Sequence, residues 1–469
     1  MRVRPLTRDR RFLREHRLFV LAVVLAATVR LVVMLGFTPA FVLGDGPAYL
    51  SFLETFVPQP TRPAGYGLLV LYPLSQVTSG LVAVALVQHL MGLGTAVMSY
   101  ALLRRWGVTA WLATLATLPV LYDGMQLMLE HSVLSDTLFE FLVVAAVVVV
   151  GWRRQPPVEL ALAGGLLLGT AVTVRLVGEP LVLGGVAFCL AVGHGWRQKL
   201  RSVVALVLGF AVPVGAYMTW YHHDHGVYAL SQYGGESLYM RTTSFVDCSR
   251  VSVPRYERVL CPAAPVGHRR APDWYTWHDP RTVPRLRPPP GTTADQAMRQ
   301  FALAAIRAQP VAYARVVLRD FMLNFDVWRG DRFEYHSAVK WRFSRYLHPL
   351  PSQVEHSAYR DHGGAQLVPH APFASAMARY GRFVYLPGPL LLACLVLGLI
   401  GGLGGSRAKR SGMRPLCLLL TGTGLGLILL PDLVGEFVWR YQLPALALLP
   451  AGAALAATAL RGEHRADER

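Results

Sequence analysis

Residues 18–37 read LFVLAVVLAATVRLVVMLGF, and residues 38–50, TPAFVLGDGPAYL, follow directly. The first stretch has the length that a helix needs to cross the hydrocarbon core of a bilayer, about 20 apolar residues. The second is a loop with a lone carboxylate, Asp45, between Gly44 and Gly46. Working outward, comparable apolar runs lie at 79–103, 108–128, 132–152, 158–175, 178–194, 201–220, 383–403, 415–432 and 436–460. The fold expected is an all-α polytopic membrane protein with about ten transmembrane helices. A shorter run, 64–77, contains Pro73 and follows Pro58, Pro60 and Pro63, so it reads as an interfacial or re-entrant helix.

Composition agrees. The 469 residues are 53% hydrophobic and only 16% charged, against roughly 25% charged in soluble domains. That excludes an ordinary cytosolic enzyme, a disordered chain and a collagen-like repeat. The formal charge of +18 first suggests nucleic acid or anionic lipid, until its placement is read. The basic residues gather in 1–17, Arg104-Arg105, Arg153-Arg154, Arg197 to Arg201, the segment SRAKRSGMR and the tail from Arg461. These are alternate connections between spans, the positive-inside pattern. It predicts cytoplasmic N- and C-termini in the plasma membrane and removes nucleic acid as a partner. The first span lacks a small-residue cleavage site and reads as an anchor, not a signal peptide.

The same topology places the polar stretch 221–381 outside, as a mixed extracytoplasmic domain between the seventh and eighth spans. It divides the chain into a module at 1–220, with spans one to seven and the loop 38–78, this domain, and a C-terminal module at 382–469. Within it, 295–308 and 311–325 read as helices parted by Pro310. Val317, Leu318, Phe321, Met322 and Phe325 share a face suited to the membrane surface. Cys248 and Cys261 fall in this stretch, which suggests a disulfide. Two free thiols are the alternative.

Ionisable groups inside spans are costly and so mark function. Here they are Arg30, Asp136, Glu140, Arg175, Glu179, Asp432, Glu436 and Arg440, with Asp45, Glu54, Arg62, Asp123 and Glu130 at span ends. Almost all fall at the outer ends, which predicts a polar cavity opening outward. Each has a structural reading as well. Arg30 can snorkel, Asp136 and Glu140 can bond to neighbouring spans, and Arg175 can pair with Glu179 one turn on. Asp45 is either a general base for an alcohol or a turn residue capping the helix that starts near Pro47. His222, His223, Asp224 and His225 mimic a metal cluster, but consecutive residues rarely converge on one ion. The runs GGLGG and TGTGLG lack the Lys-Ser/Thr of a phosphate loop. Close packing of spans explains such glycines, as in Gly165xxxGly169.

The order of these features carries a resemblance. A basic N-terminus and one span lead to a loop Asp with Tyr49 four residues on, then TRPAGYGLL, a YALLRR exit and LEHSVLSDTLFEFL. A Gly-rich span ending in TVRLVGEP and a late RYQLP segment complete it. Residues 18–220 and 383–460 resemble the polytopic glycosyltransferases of the C-type fold. More narrowly, they resemble the lipid-carrier-dependent branch with protein O-mannosyltransferases, aminoarabinose transferases and lipopolysaccharide core transferases. The resemblance implies a polyprenyl-phosphate-linked sugar donor and an extracytoplasmic acceptor, a cell-envelope glycan, lipid or protein. It makes Asp45 the catalytic residue, sets Glu130, with Asp136 second, as the acid opening the fourth span, and gives Arg175, Arg440 and Tyr441 to the carrier phosphate. The charge and placement of the residues themselves add Arg62 as a further phosphate ligand and have Tyr49, Glu130 and Asp136 position substrate or acceptor. Many relatives carry a second acid after the loop Asp, where this chain has Gly46. A divalent cofactor is possible but not indicated. A lipid-linked-sugar transporter and a non-catalytic scaffold for envelope synthesis remain as alternatives.

Overall fold

The computed structural model describes residues 6–330, 338–344, 353–362, 366–405 and 411–461. Among the described residues the regular structure is helical, apart from one two-stranded antiparallel sheet pairing Phe37–Thr38 with Val368–Pro369 and an isolated parallel bridge between Phe41 and Ser132. By length and composition, five helices can cross a membrane: Arg14–Gly36, Val82–Arg105, Gly195–His225, Arg414–Val434 and Trp439–Arg461. The number rises to eight if each bent helix pair is one span.

The shortfall against the ten expected lies in interruptions that hydropathy does not reveal. The run at 108–128 breaks at Asp123 into Ala110–Tyr122 and Gly124–Glu130, bent by 54°. Asp123 Oδ1 accepts from Met125 N and so starts the second helix. The carbonyls of Val120 and Leu121 at the break accept from the Arg30 guanidinium. The run at 132–152 starts its helix only at Asp136 and is 16 residues long. The run at 178–194 yields Leu181–Val192. The stretch 64–77 is helical over residues 67–75, about 14 Å at 1.5 Å per residue, too short to cross.

Glycines set the tightest helix contacts. A Cβ on Gly165 would lie 2.0 Å from Leu206 O, one on Gly169 2.3 Å from Phe210 O, and one on Gly209 2.2 Å from Leu162 O. Helices Val158–Val174 and Gly195–His225 therefore touch backbone to backbone, as the small-residue spacing predicts. The last helix, Leu443–Arg461, is the bundle's centre, with nearly every residue buried.

The polar ends sort themselves. Arg104 pairs with Glu15, Arg105 donates to Trp152 O, Gln155 meets His194, and Arg154 lies 5.6 Å over Trp106. The basic connections thus share one end of the bundle; residues 406–410 of SRAKRSGMR and the tail beyond Arg461 lie outside the described residues. The ends opposite carry Asp45, Arg62, Arg175 and Arg440.

Part of the stretch 221–381 has its own small core of Tyr239, Val246, Leu260, Leu286, Ala297, Met298, Phe301 and Ala305. Cys248 and Cys261, at its edge, are disulfide-bonded. Pro310 separates Ala294–Ala308 from Pro310–Leu323 with a 101° bend. Leu318 and Met322 are exposed on the second helix, while Val317 and Phe325 are buried.

Candidate active site

Three local arrangements bring the site together. Phe41 pairs with the turn at 131–133, with Phe41 N donating to His131 O and Val133 N to Phe41 O. This sets Gly44-Asp45-Gly46 beside Ser135 and Asp136. Gly44 sits at φ +58°, and a Cβ on Gly46 would come 3.1 Å from Val133 O. The second arrangement is Gly65, where a Cβ would lie 2.4 Å from Thr173 O. That contact ties the Arg62 segment to the helix end that carries Arg175. Third, Arg440 opens the central helix within the short turn Trp439–Gln442.

At their meeting point Asp45 is clamped. Arg62 donates to Oδ1 from Nε at 2.8 Å and from Nη2 at 2.6 Å. Arg440 Nη2 donates to Oδ2 at 2.5 Å. The Asp45 side chain caps nothing, although it precedes the helix Gly46–Thr55; its charge is committed to the two arginines. Burial alone would raise its carboxyl, but the guanidiniums of Arg440 and then Arg62 outweigh burial and hold it well below the usual range.

A second pair extends the cluster. Arg175 Nη1 lies 2.8 Å from Asp136 Oδ1, and Arg440 Nη1 lies 3.7 Å from Asp136 Oδ2. Arg175 therefore pairs with Asp136, not with Glu179 one turn away. Tyr441 underlies both arginines, its ring 5.2 Å from Arg175 Cζ and 5.5 Å from Arg440 Cζ. Tyr49 Oη lies 2.8 Å from Ser135 Oγ. Burial, with the nearby Asp45 charge second, pushes the Tyr49 phenol up to about 12. Arg62, Arg175 and Asp45 are partly accessible, with side chains 27%, 16% and 19% exposed, so a ligand can reach them. Three guanidiniums face two carboxylates, an excess of positive charge. Arg440 Nε and Nη1 and Asp136 Oδ2 are buried without a hydrogen-bond partner. An incompletely satisfied polar cluster of this sign is suited to an anion.

Glu130 is the sequence candidate placed elsewhere. It is fully buried and accepts from Arg30 Nε at 2.9 Å, Arg30 Nη2 at 2.7 Å and Gln126 Nε2 at 3.1 Å. His89 Nδ1 lies 2.8 Å away. Its carboxylate is consumed inside the bundle, so it supports the 131–136 turn and does not line the cluster. Arg30 is 3% exposed and does not snorkel. The four-residue set at 222–225 diverges: His222 stacks on Tyr228, His223 meets Asp224, and His225 contacts Pro58 O.

Sequence reasoning passed over Tyr233, Glu236, Asp273 and Trp277, which border the Arg62 side of the cluster. Arg62 Cζ lies 5.8 Å from the Trp277 ring, and Asp273 N donates to Glu436 Oε2 at 3.3 Å. They come from a stretch without hydrophobic periodicity, where no pattern singles out a residue.

No family model and no curated protein matches the chain. Two solved structures are similar in part. The S. cerevisiae protein O-mannosyltransferase Pmt1-Pmt2 complex bound to the sugar donor aligns over 54% of this chain and 37% of its own, at 16% identity and a TM-score of 0.35. The oligosaccharyltransferase AglB from Archaeoglobus fulgidus, in complex with an inhibitory peptide and a dolichol-phosphate, aligns over 94% and 50%, at 12% identity and a TM-score of 0.43. This chain spans half or less of the length of each.

Proposed function

We propose that the protein is an inverting glycosyltransferase of the plasma membrane that moves a sugar from a polyprenyl-phosphate carrier to an acceptor outside the cytoplasm. The observation that carries this reading is Asp45 held between Arg62 and Arg440, with the Arg175–Asp136 pair alongside. The basic connections gather at the opposite end of the bundle, and the positive-inside rule makes that end cytoplasmic. The lipid tail of the donor stays in the bilayer while its phosphate reaches the arginines.

Phosphate oxygens compete with Asp45 for the same donors. As it stands Asp45 is a weak base, because two guanidiniums stabilise its charge. Once Arg440 turns to the phosphate beside Arg175, Asp45 keeps only Arg62, and its carboxylate regains basicity and accepts the proton of the acceptor hydroxyl. That oxygen attacks the anomeric carbon from the face opposite the phosphate. The carbon–oxygen bond to the phosphate breaks and its electron pair stays on the carrier phosphate, whose added charge the arginines stabilise. Tyr49 and Ser135 hold the turn bearing Asp136 in register.

The test incubates purified protein with a panel of polyprenyl-phospho-sugars and an envelope extract and measures release of carrier phosphate. Release that depends on Asp45 and Arg175 supports transfer. Movement of donor across a vesicle membrane without release would favour a transporter.

A further inference from the structure

Beside Arg62 a second group of side chains converges that the transfer chemistry above does not use. Gln232 N donates to Pro60 O at 2.7 Å, which fastens the segment before Tyr233 to the loop carrying Arg62. Tyr233 stacks on Trp277 with centroids 6.2 Å and planes 25° apart. Trp277 is 46% exposed, and its ring lies 5.8 Å from Arg62 Cζ. Glu236 stands one turn after Tyr233 on the helix Gly234–Thr243.

That helix is fixed on two sides. Glu236 N donates to Asp295 Oδ1 at 2.9 Å, and a Cβ on Gly235 would lie 1.9 Å from Asp295 O. Ser237 Oγ donates to Val434 O at 2.8 Å, and Arg241 Nη1 to Asp432 O at 2.9 Å. The backbone cannot retreat, so the Glu236 carboxyl is held at the border of the cluster although its rigid frame uses only its N–H.

We propose that Tyr233, Glu236 and Trp277 form a carbohydrate-binding acceptor subsite next to Arg62. An exposed indole with a stacked phenol offers a flat apolar face for the C–H side of a sugar ring. A neighbouring carboxyl suits the hydroxyls at the ring edge, and Arg62 links this platform to Asp45. The acceptor is then a glycan and not a serine- or threonine-bearing protein. Burial, with the Asp295 charge second, lifts the Glu236 carboxyl to about 7. It can therefore orient a hydroxyl as acceptor or as donor near neutral pH.

The inference rests on the transfer reading for the word acceptor, but its test needs no donor. Full-length protein in nanodiscs is titrated with labelled short linear hexosides and pentofuranosides, and with a Ser/Thr-rich peptide. Binding of at least one sugar is expected, weakened about tenfold or more by Trp277→Ala and largely kept by Trp277→Phe. Glu236→Gln should weaken the same sugar and alter the pH dependence of its binding. No sugar bound by the unmodified protein, equal binding by Trp277→Ala and Glu236→Gln, or peptide binding at these residues would each overturn the subsite. Sugar binding without carrier-phosphate release from any donor would instead reject the transfer reading and leave the subsite standing.

Discussion

Arg440 Nη2 lies 2.5 Å from Asp45 Oδ2, joining residues 395 positions apart. One partner sits in the loop after the first helix; the other opens the central helix, whose buried length leaves it little freedom to move. Arg62 holds the other carboxylate oxygen, so Asp45 is fixed from both ends of the chain.

Asp45→Asn should abolish most of the transfer while leaving the protein in the membrane. A positioned base contributes on the order of 10²–10⁴-fold, which sets the expected loss. Asn keeps the shape and one acceptor oxygen, so Arg62 retains a partner and the loop stays in place. The readout is carrier-phosphate release set against the amount of inserted protein. A near-normal rate would take Asp45 out of the base role.

Arg175 separates charge from geometry. Arg175→Gln should cost about 10²–10³-fold in kcat, the scale of removing one donor to a developing oxyanion. Arg175→Lys should recover part of this, since lysine supplies charge without the planar fork. Identical rates for the two variants would show that charge at position 175 is not what the reaction uses. A change confined to KM would restrict it to donor binding.

Much of the bundle was legible because membrane crossing leaves a coarse mark in sequence. The spans around residues 18–37, 79–103 and 415–432 follow from apolar length alone, and Gly165xxxGly169 foretold a backbone contact that the helices do make. Asp45, Arg62, Arg175 and Arg440 stood out because charge is rare in such a chain, and they meet. The break at Asp123 was not read from the run 108–128, although Pro119, Asp123 and Gly124 interrupt it, because the donor that makes the break tolerable, Arg30, lies 90 residues away. Glu130 entered through the resemblance, as the acid opening the fourth span, and that says nothing of the Arg30 and His89 partners that hold its carboxylate inside the bundle. Tyr233, Glu236 and Trp277 carry no periodic signal, and only the pairing of Gln232 with Pro60 puts them beside Arg62.

Glu236 gives a signed pH dependence. Its carboxyl sits at about 7 in the folded protein against an ordinary 4.5. Between these values the folded chain binds more protons than the unfolded one, so stability from this group falls as pH rises through the window. The groups facing it are Tyr233 on its own segment, Asp295 from the helix Ala294–Ala308 and Arg62 from the first loop. Glu236→Gln removes the titration and should flatten the fall in Tm between pH 5 and pH 8, values that bracket this window. The variant should therefore gain most over the parent at the alkaline end. Parallel Tm curves for the two proteins would place Glu236 in a more solvated setting.

Gly92→Ala tests the buried support beneath the site. A Cβ there would lie 1.8 Å from Glu130 Oε1, 2.5 Å from Glu130 Cδ and 3.1 Å from Arg30 Nη2. Glu130 cannot swing aside cheaply, because Arg30, His89 and Gln126 all hold it. Displacing it leaves the Arg30 guanidinium buried against carbonyls alone, and breaking a buried pair costs about 3–5 kcal/mol. The comparison is Gly94→Ala, two residues on, where the nearest atom is the Phe141 ring edge at 3.2 Å. That ring can shift by a few tenths of an ångström, so Gly94→Ala should be mild. Melting of the two variants in detergent decides the matter: a large loss for Gly92→Ala and a small one for Gly94→Ala places the energetic weight on the Arg30–Glu130 pair. Equal, small losses would mean that the carboxylate has room to move, and that the turn bearing Ser135 and Asp136 is held in place by something else.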